Sequence, residues 1–335
     1  MGVVLLVSTV MESVTYVLSW LVFIPLEILW IPAQICGCLW VAYKQIYVSK
    51  KMGLSMTAIE VINNRWIMDL FGMRSDPATL CLVKVLPNTS IAGLFVTLIP
   101  FWVKWKICGK LEMFPRNVEL GKESMMEIIT GRTPYFDQVI ARVLPKVEQF
   151  VVLGAGYDTR SYSKVEGVTV FEVDQTEVQN HKRQMVAAAG IAHDHVNFVP
   201  INFLSDKIFD KLIAAGYDPA RRTLFLCEGV TMYLTEDAVR ETIRQVRDQS
   251  PSGSTLLIDL YSTKPLDKLA KTMLCDAMLS STNENFDFSL PLEKDWENTL
   301  QAFAHSEAMD VGQTFFMGSD NKQGPFMVVA ELLVR

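Results

Sequence analysis

Residues 150–160 read FVVLGAGYDTR, and residues 168–174 follow as VTVFEVD. An apolar strand that runs into Gly154-Ala155-Gly156 must turn sharply. Glycine tolerates φ > 0 there and carries no Cβ, so backbone N–H groups can come close to a ligand lying across the strand end. The second apolar run closes on Asp174, at the spacing where a carboxylate accepts hydrogen bonds from both hydroxyls of a ribose. The pattern predicts a bound nucleoside.

The rest of the turn selects which one. Dinucleotide folds use G-x-G-x-x-G, whose third glycine allows close helix packing beside a pyrophosphate. Here Thr159 stands in its place. Asp158 would repel a diphosphate, whereas it can hold the ammonium of an amino-acid tail. The turn therefore predicts S-adenosyl-L-methionine, a sulfonium cation, in preference to NAD.

Working outward, apolar runs near 150–153, 168–173, 196–200, 223–227 and 255–260 predict strands, and 175–189, 205–215 and 235–249 predict helices. The last helix opens with the cap signal Thr235-Glu236-Asp237. This alternation predicts an α/β, Rossmann-like, mostly parallel sheet with helices on both faces. After Tyr261 the alternation stops: residues 264–304 predict a lid insertion, and runs near 311–317 and 325–334 predict two strands closing the sheet as an antiparallel edge.

Seven stretches in order carry a resemblance: SMTAIEVINNR (55–65), DPATL (76–80), GRTPYFD (131–137), VVLGAGYDTRSY (151–162), VFEVDQTEVQNHK (170–182), AAGYDP (214–219) and CEGVTMYL (227–234). With them the chain resembles the leucine carboxyl methyltransferase family of class I S-adenosylmethionine-dependent methyltransferases, in particular its small-molecule O-methyltransferase-like branch. The resemblance implies a seven-stranded sheet and assigns cofactor contacts to Arg132, Gly154, Gly156, Asp158, Thr159, Arg160, Asp174, Asn202, Phe203 and Glu228. Arg132 would fork onto the cofactor carboxylate, Asn202 stands where the family has an Asp for the adenine amino group, Phe203 would line the ring, and Glu228 would lie near the methionine moiety. For Arg160 and Glu228 the alternative is a structural ion pair. Tyr233 could orient an acceptor oxygen.

Methyl transfer from a sulfonium asks mainly for alignment, worth on the order of 7 to 11 kcal/mol, and a carboxylate acceptor needs no base. The histidines at 181, 193, 195 and 305 read as solvated surface residues, so no general base is assigned. Phosphatase-directed members of the family carry Asp-Leu-Arg-Asp after the third strand; here the run is Asn202-Phe203-Leu204-Ser205, with Leu204 in the place of the arginine that would clamp a peptide carboxylate. That departure implies an oily acceptor. Two other readings stay open: a protein C-terminal leucine carboxyl methyltransferase, and a catalytically silent membrane scaffold.

Half of the 335 residues are apolar, and the net charge is −6, which gives no basic face for nucleic acid. Cysteines 36, 38, 81, 108, 227 and 275 form no C-x-x-C pair and read as reduced, buried thiols with no metal role. From Val14 to Tyr43 the chain holds one charge, Glu27, in a run longer than the roughly 20 residues that span a bilayer. It predicts an N-terminal membrane helix, kinked or divided at Pro25 and Pro32, with Lys44, Lys50 and Lys51 placing the following domain in the cytosol. Ile91–Val103 looks too short to span and predicts an interfacial or substrate-covering helix, or a cap-core helix. The expected organisation is an anchor at 1–50 and a methyltransferase domain at 51–335, with 51–130 as helical cap and 131–335 as core. The expected partners are a membrane and a hydrophobic small-molecule or lipid substrate, and the sequence leaves oligomeric state open.

Overall fold

The computed structural model describes residues 2–163, 166–203, 206–271 and 285–335, with backbone alone at 2–9 and 270. Leu204, Ser205, Cys275 and positions 272–284 of the expected lid lie outside the described residues. By its contacts the chain divides into Met1–Asn117 and Val118–Arg335. Residue 50, where composition alone drew a boundary, falls inside the first unit, within the short helix α2 (Ser49–Met52).

The second unit is built on seven strands: β1 (Gln149–Leu153), β2 (Thr169–Asp174), β3 (Val196–Pro200), β4 (Thr223–Cys227), β5 (Thr255–Tyr261), β6 (Asp310–Met317) and β7 (Met327–Leu333). Their order is β3-β2-β1-β4-β5-β7-β6, with β1 to β5 parallel and β7 antiparallel to both neighbours. This is the class I methyltransferase fold. The central strands are short β-branched and aromatic runs buried along their whole length, because helices cover both faces. The period of two sorts their side chains: Val151 and Leu153 face one core with Ile208, Leu212, Val239 and Ile243, while Phe150 and Val152 face the other with Phe136, Val139 and Val143.

The first of those faces is covered by α8 (Ile208–Ala214), α9 (Glu236–Asp248) and α11 (Trp296–Ser306); the second is covered by α6 (Ile128–Val143). The remaining helices of the unit are α7 (Thr176–Ala188) and α10 (Thr263–Ala270). Thr235 caps α9 as expected, its hydroxyl accepting from the Ala238 N–H at 3.3 Å.

In the first unit α1 (Gly2–Ala42) runs unbroken through Pro25 and Pro32, so the chain takes neither a hairpin nor a division there. It then passes through a π-helical turn at Tyr43–Val48. Next come α3 (Met56–Leu70), α4 (Pro77–Val85) and α5 (Ile91–Cys108). Two of the family-like stretches prove to be helix caps: Ser55 accepts from the Ala58 N–H at 3.4 Å, and Asp76 from the Thr79 N–H at 3.0 Å, with Pro77 at the first helical position.

Helix α5 extends five residues past Val103, which corrects its expected shortness. Lys104 can enter the helix because Glu112 Oε2 lies 3.1 Å from its Nζ and the Trp20 ring lies 4.6 Å away. α5 packs antiparallel along α1: Phe101 meets Phe23, the Trp30 indole donates to the Val96 carbonyl at 2.9 Å, and Gln34 Nε2 donates to the Thr97 carbonyl at 3.2 Å. Gly37 and Gly93 allow the close approach, since a Cβ on Gly37 would lie 3.0 Å from the Gly93 carbonyl oxygen. Both helices are long and apolar enough, by length and composition, to cross a membrane. The outer face of α1, including Val14, Leu21, Ile28 and Leu29, is exposed. Among the described cysteines only Cys227 is buried; Cys36, Cys38 and Cys81 are exposed, which corrects the expectation of buried thiols.

Candidate active site

The glycine turn sits between the carboxyl ends of β1 and β2, with Gly154 at φ 68° and Gly156 at φ 42°. Gly154 is required twice over, because a Cβ there would lie 2.3 Å from Val230 Cγ2 in the loop after β4. The Gly156 N–H donates to Asp174 Oδ2 at 2.6 Å, and the Gln175 N–H donates to Oδ1 at 2.7 Å. Each carboxylate oxygen keeps a further lone pair. Burial raises the Asp174 pKa, and the two backbone donors oppose that shift.

Behind the turn lies an ion pair that the sequence reading missed. Glu172 on β2 and Lys182 on α7 meet at 2.8 Å with both side chains buried, and the Lys182 Nζ reaches the Ala155 carbonyl at 3.4 Å. This pair braces the turn from the protein side. The charge of Glu172 in the middle of the apolar run VTVFEV was the available signal.

A second cluster forms at the end of β4. Glu228 bridges two arginines: Arg132 Nε on α6 lies 3.1 Å from Oε1, and Arg160 NH1, just past the glycine turn, lies 2.6 Å from Oε2. The structural ion pair weighed for Arg160 and Glu228 is present. Arg160 also meets Asp137 at 2.7 Å and Asp158 at 2.5 Å. Arg132 NH1 meets Asp259 at 3.1 Å and also donates to the Tyr261 hydroxyl. Asp259 in turn accepts the Gly229 N–H, at 2.9 and 3.0 Å on its two oxygens.

Asp137, Asp259 and Tyr261 were not picked from the sequence, although one acid inside the strand TLLIDLY was again the sign. Burial pushes Asp259 up to about 6, the Arg132 charge opposing it. Arg132 is almost wholly buried, so its Nε and NH1 are spent on Glu228, Asp259 and Tyr261. Two guanidiniums face four carboxylates, and that excess of negative charge favours a cationic ligand.

The other expected residues are placed as follows. Thr159 is buried in the turn, and Phe203 packs half-buried against the sheet core. Asn202 is exposed; its N–H donates to Asp206 Oδ2 at 2.9 Å and its carbonyl accepts from the Asp206 N–H. Tyr233 is half-buried, its ring 5.6 Å from that of Phe286 in the described end of the lid segment.

His181 is half-buried against Tyr157, whose hydroxyl lies 2.8 Å from Nδ1, and burial lowers its pKa. That corrects its reading as a solvated residue; the helix after Asp174 turns it inward. His193 and His195 are also half-buried, hydrogen-bonded to the Ile191 and Ser161 carbonyls. Among the described residues no group of three or more His, Cys, Asp or Glu side chains could hold a metal ion.

The family model described as leucine carboxyl methyltransferase matches residues 89–247. A protein of Mycolicibacterium vanbaalenii, named as a candidate S-adenosyl-L-methionine-dependent methyltransferase, is 34% identical over 152 residues, covering 44% of this chain and 50% of that protein. A similarly named protein of Saccharopolyspora erythraea is 32% identical over 169 residues, covering 50% of this chain and 57% of its own length. The chain thus spans about half the length of the curated relatives it matches. Among solved structures, an O-methyltransferase family protein from Burkholderia thailandensis aligns with a TM-score of 0.42 and 15% identity, covering 62% of this chain and 57% of that one. Over residues 89–247 the chain is thus similar to the leucine carboxyl methyltransferase family, and its sequence relatives are named as S-adenosyl-L-methionine-dependent methyltransferases.

Proposed function

We propose that this protein is a membrane-anchored, S-adenosylmethionine-dependent O-methyltransferase acting on a hydrophobic small molecule or a lipid-like acid or alcohol. The observation that carries the reading is the pairing of two features at one end of the sheet. Asp174 is held by the Gly156 N–H with lone pairs to spare for ribose hydroxyls, and beside it stands the acid-rich cluster around Glu228. When bound, S-adenosylmethionine supplies a methyl group on a sulfonium that is already a good leaving group. The chain's own residues then hold and orient: Asp174 the ribose, Glu228 the ammonium of the amino-acid tail, and Tyr233 an acceptor oxygen. Arg132 acts chiefly by fixing Glu228, because its fork is engaged within the protein.

Support for the membrane part comes from the exposed apolar face of α1 and from the length and composition of α1 and α5. The catalytic unit faces the cytosol in this proposal, where S-adenosylmethionine is made. Calorimetric titration of the full chain with S-adenosylhomocysteine tests the central reading. Saturable one-site binding is expected; no binding by folded protein would leave a silent scaffold.

A further inference from the structure

A groove of about 610 Å³ opens in the second unit, outside the Asp174 and Glu228 clusters. It falls within the roughly 300–1,000 Å³ of small-molecule sites. Its floor is apolar, made by Met125 ahead of α6, Pro265 and Leu269 on α10, and Phe326 ahead of β7. Two ammonium groups stand at its rim, Lys268 and Lys322, both exposed. Lys268 Nζ is held over the groove by Gln323 Oε1 at 3.1 Å. Among the described residues no carboxylate lines it. An apolar trough edged by positive charge selects an amphiphile with a negative head.

Its position gives it meaning. The turn between β6 and β7 lies at the carboxyl end of β5, since Met327 pairs with Tyr261 and the Ser262 N–H donates to the Phe326 carbonyl at 2.9 Å. Phe326, Leu269 and Met125 belong to the same apolar cluster as Tyr261, whose hydroxyl touches Arg132. The groove therefore opens at the strand ends where α/β sheets bind ligands.

We propose that this groove binds an aliphatic carboxylate, its chain along Leu269 and Phe326 and its charge between Lys268 and Lys322. Naming that amphiphile as the methyl acceptor rests on the function proposed above; its binding does not. The test uses the full chain in lipid nanodiscs with two photolabels, decanoate and decanol, each carrying a mid-chain diazirine. The decanoate label is expected in peptides holding Pro265–Leu269 or Asn321–Phe326, displaced by unlabelled decanoate. The double variant Lys268→Gln, Lys322→Gln should lower that labelling about tenfold, the worth of a charge-assisted contact, and leave decanol labelling unchanged.

Labelling confined to other peptides, or an equal loss for both labels, overturns the proposal. Retained S-adenosylhomocysteine binding shows that the double variant is folded, because neither lysine belongs to the cofactor cluster. A protein that binds S-adenosylhomocysteine but takes no decanoate label in the groove refutes this site and leaves the methyltransferase reading standing. One that labels in the groove without binding S-adenosylhomocysteine keeps the site and refutes that reading.

Discussion

At the scale of single residues, Asp174 and Asp259 are two acids with different duties. Asp174, which among the described residues accepts only backbone N–H groups, is the residue proposed to hold the ribose. Asp174→Ala should therefore weaken S-adenosylhomocysteine binding by about 1.5 to 3 kcal/mol, the loss of charge-assisted hydrogen bonds, while the thermal midpoint changes little. Calorimetry and a melting curve on the same sample check both halves. Asp259 is internal and partners Arg132, so its mark is a pH dependence. Its folded pKa, raised to about 6 from 3.8, means that the native state holds a proton which the unfolded chain has already released. Stability contributed by this group is therefore present at low pH and lost as pH rises from about 4 to about 6, by roughly 3 kcal/mol for a shift of about two units. Asp259→Asn should remove that slope while lowering stability overall by leaving Arg132 short of a partner. Melting points of both proteins between pH 4 and pH 7 decide it: parallel curves would place the titration elsewhere.

At the scale of elements, every strand of the sheet was legible from apolar run length, and α7, α8 and α9 from their polar faces. The glycine turn and Asp174 were legible because their chemistry is local: both lie within one strand–turn–helix unit. Asp259 and Tyr261 were not, because their roles come from β5 lying beside β4, and pairing across a sheet leaves no local mark. The length of α5 was missed for a similar reason: the apolar run was closed at Val103, and only the rings of α1 and the distant Glu112 make the charge of Lys104 tolerable in the helix. The tight contact of α1 with α5 yields its own prediction. A leucine at Gly93 would place its Cβ 2.8 Å from Val41 Cγ2, with the rest of the side chain still to fit. Gly93→Leu should lower the stability of this helix pair by about 1 to 3 kcal/mol, the usual cost of overpacking, without changing cofactor affinity. Protease resistance of the first unit, set against calorimetry, separates the two effects.

At the scale of the whole molecule, the proposed anchor and the proposed cofactor site map to different stretches of chain. Every residue proposed to touch the cofactor lies beyond Asn117, and both long apolar helices lie before it. Removal of α1 should nevertheless fail to release the protein. A chain beginning at Ser55 uncovers the face of α5 that carries Phe101, Val96 and Gly93, and should still sediment with membranes after a carbonate wash. A soluble, cofactor-binding product would show that α5 has no affinity for lipid of its own.

The antiparallel run of α1 beside α5 also sets a rule of parity. A chain that crosses a bilayer twice returns to the face from which it started, so two full crossings would strand residues 53–90 on the face opposite to the residues that follow Cys108. Family-like stretches lie on both sides of α5 along the chain, at 55–80 and from 131 onward. Two full crossings would part those stretches, whereas a wedge that enters and leaves on a single face would not. The exposed thiol of Cys81 reports on it directly: in sealed vesicles, an impermeant maleimide should reach Cys81 from the same side as a cysteine placed at Lys110, and reaction from opposite sides would count two crossings instead.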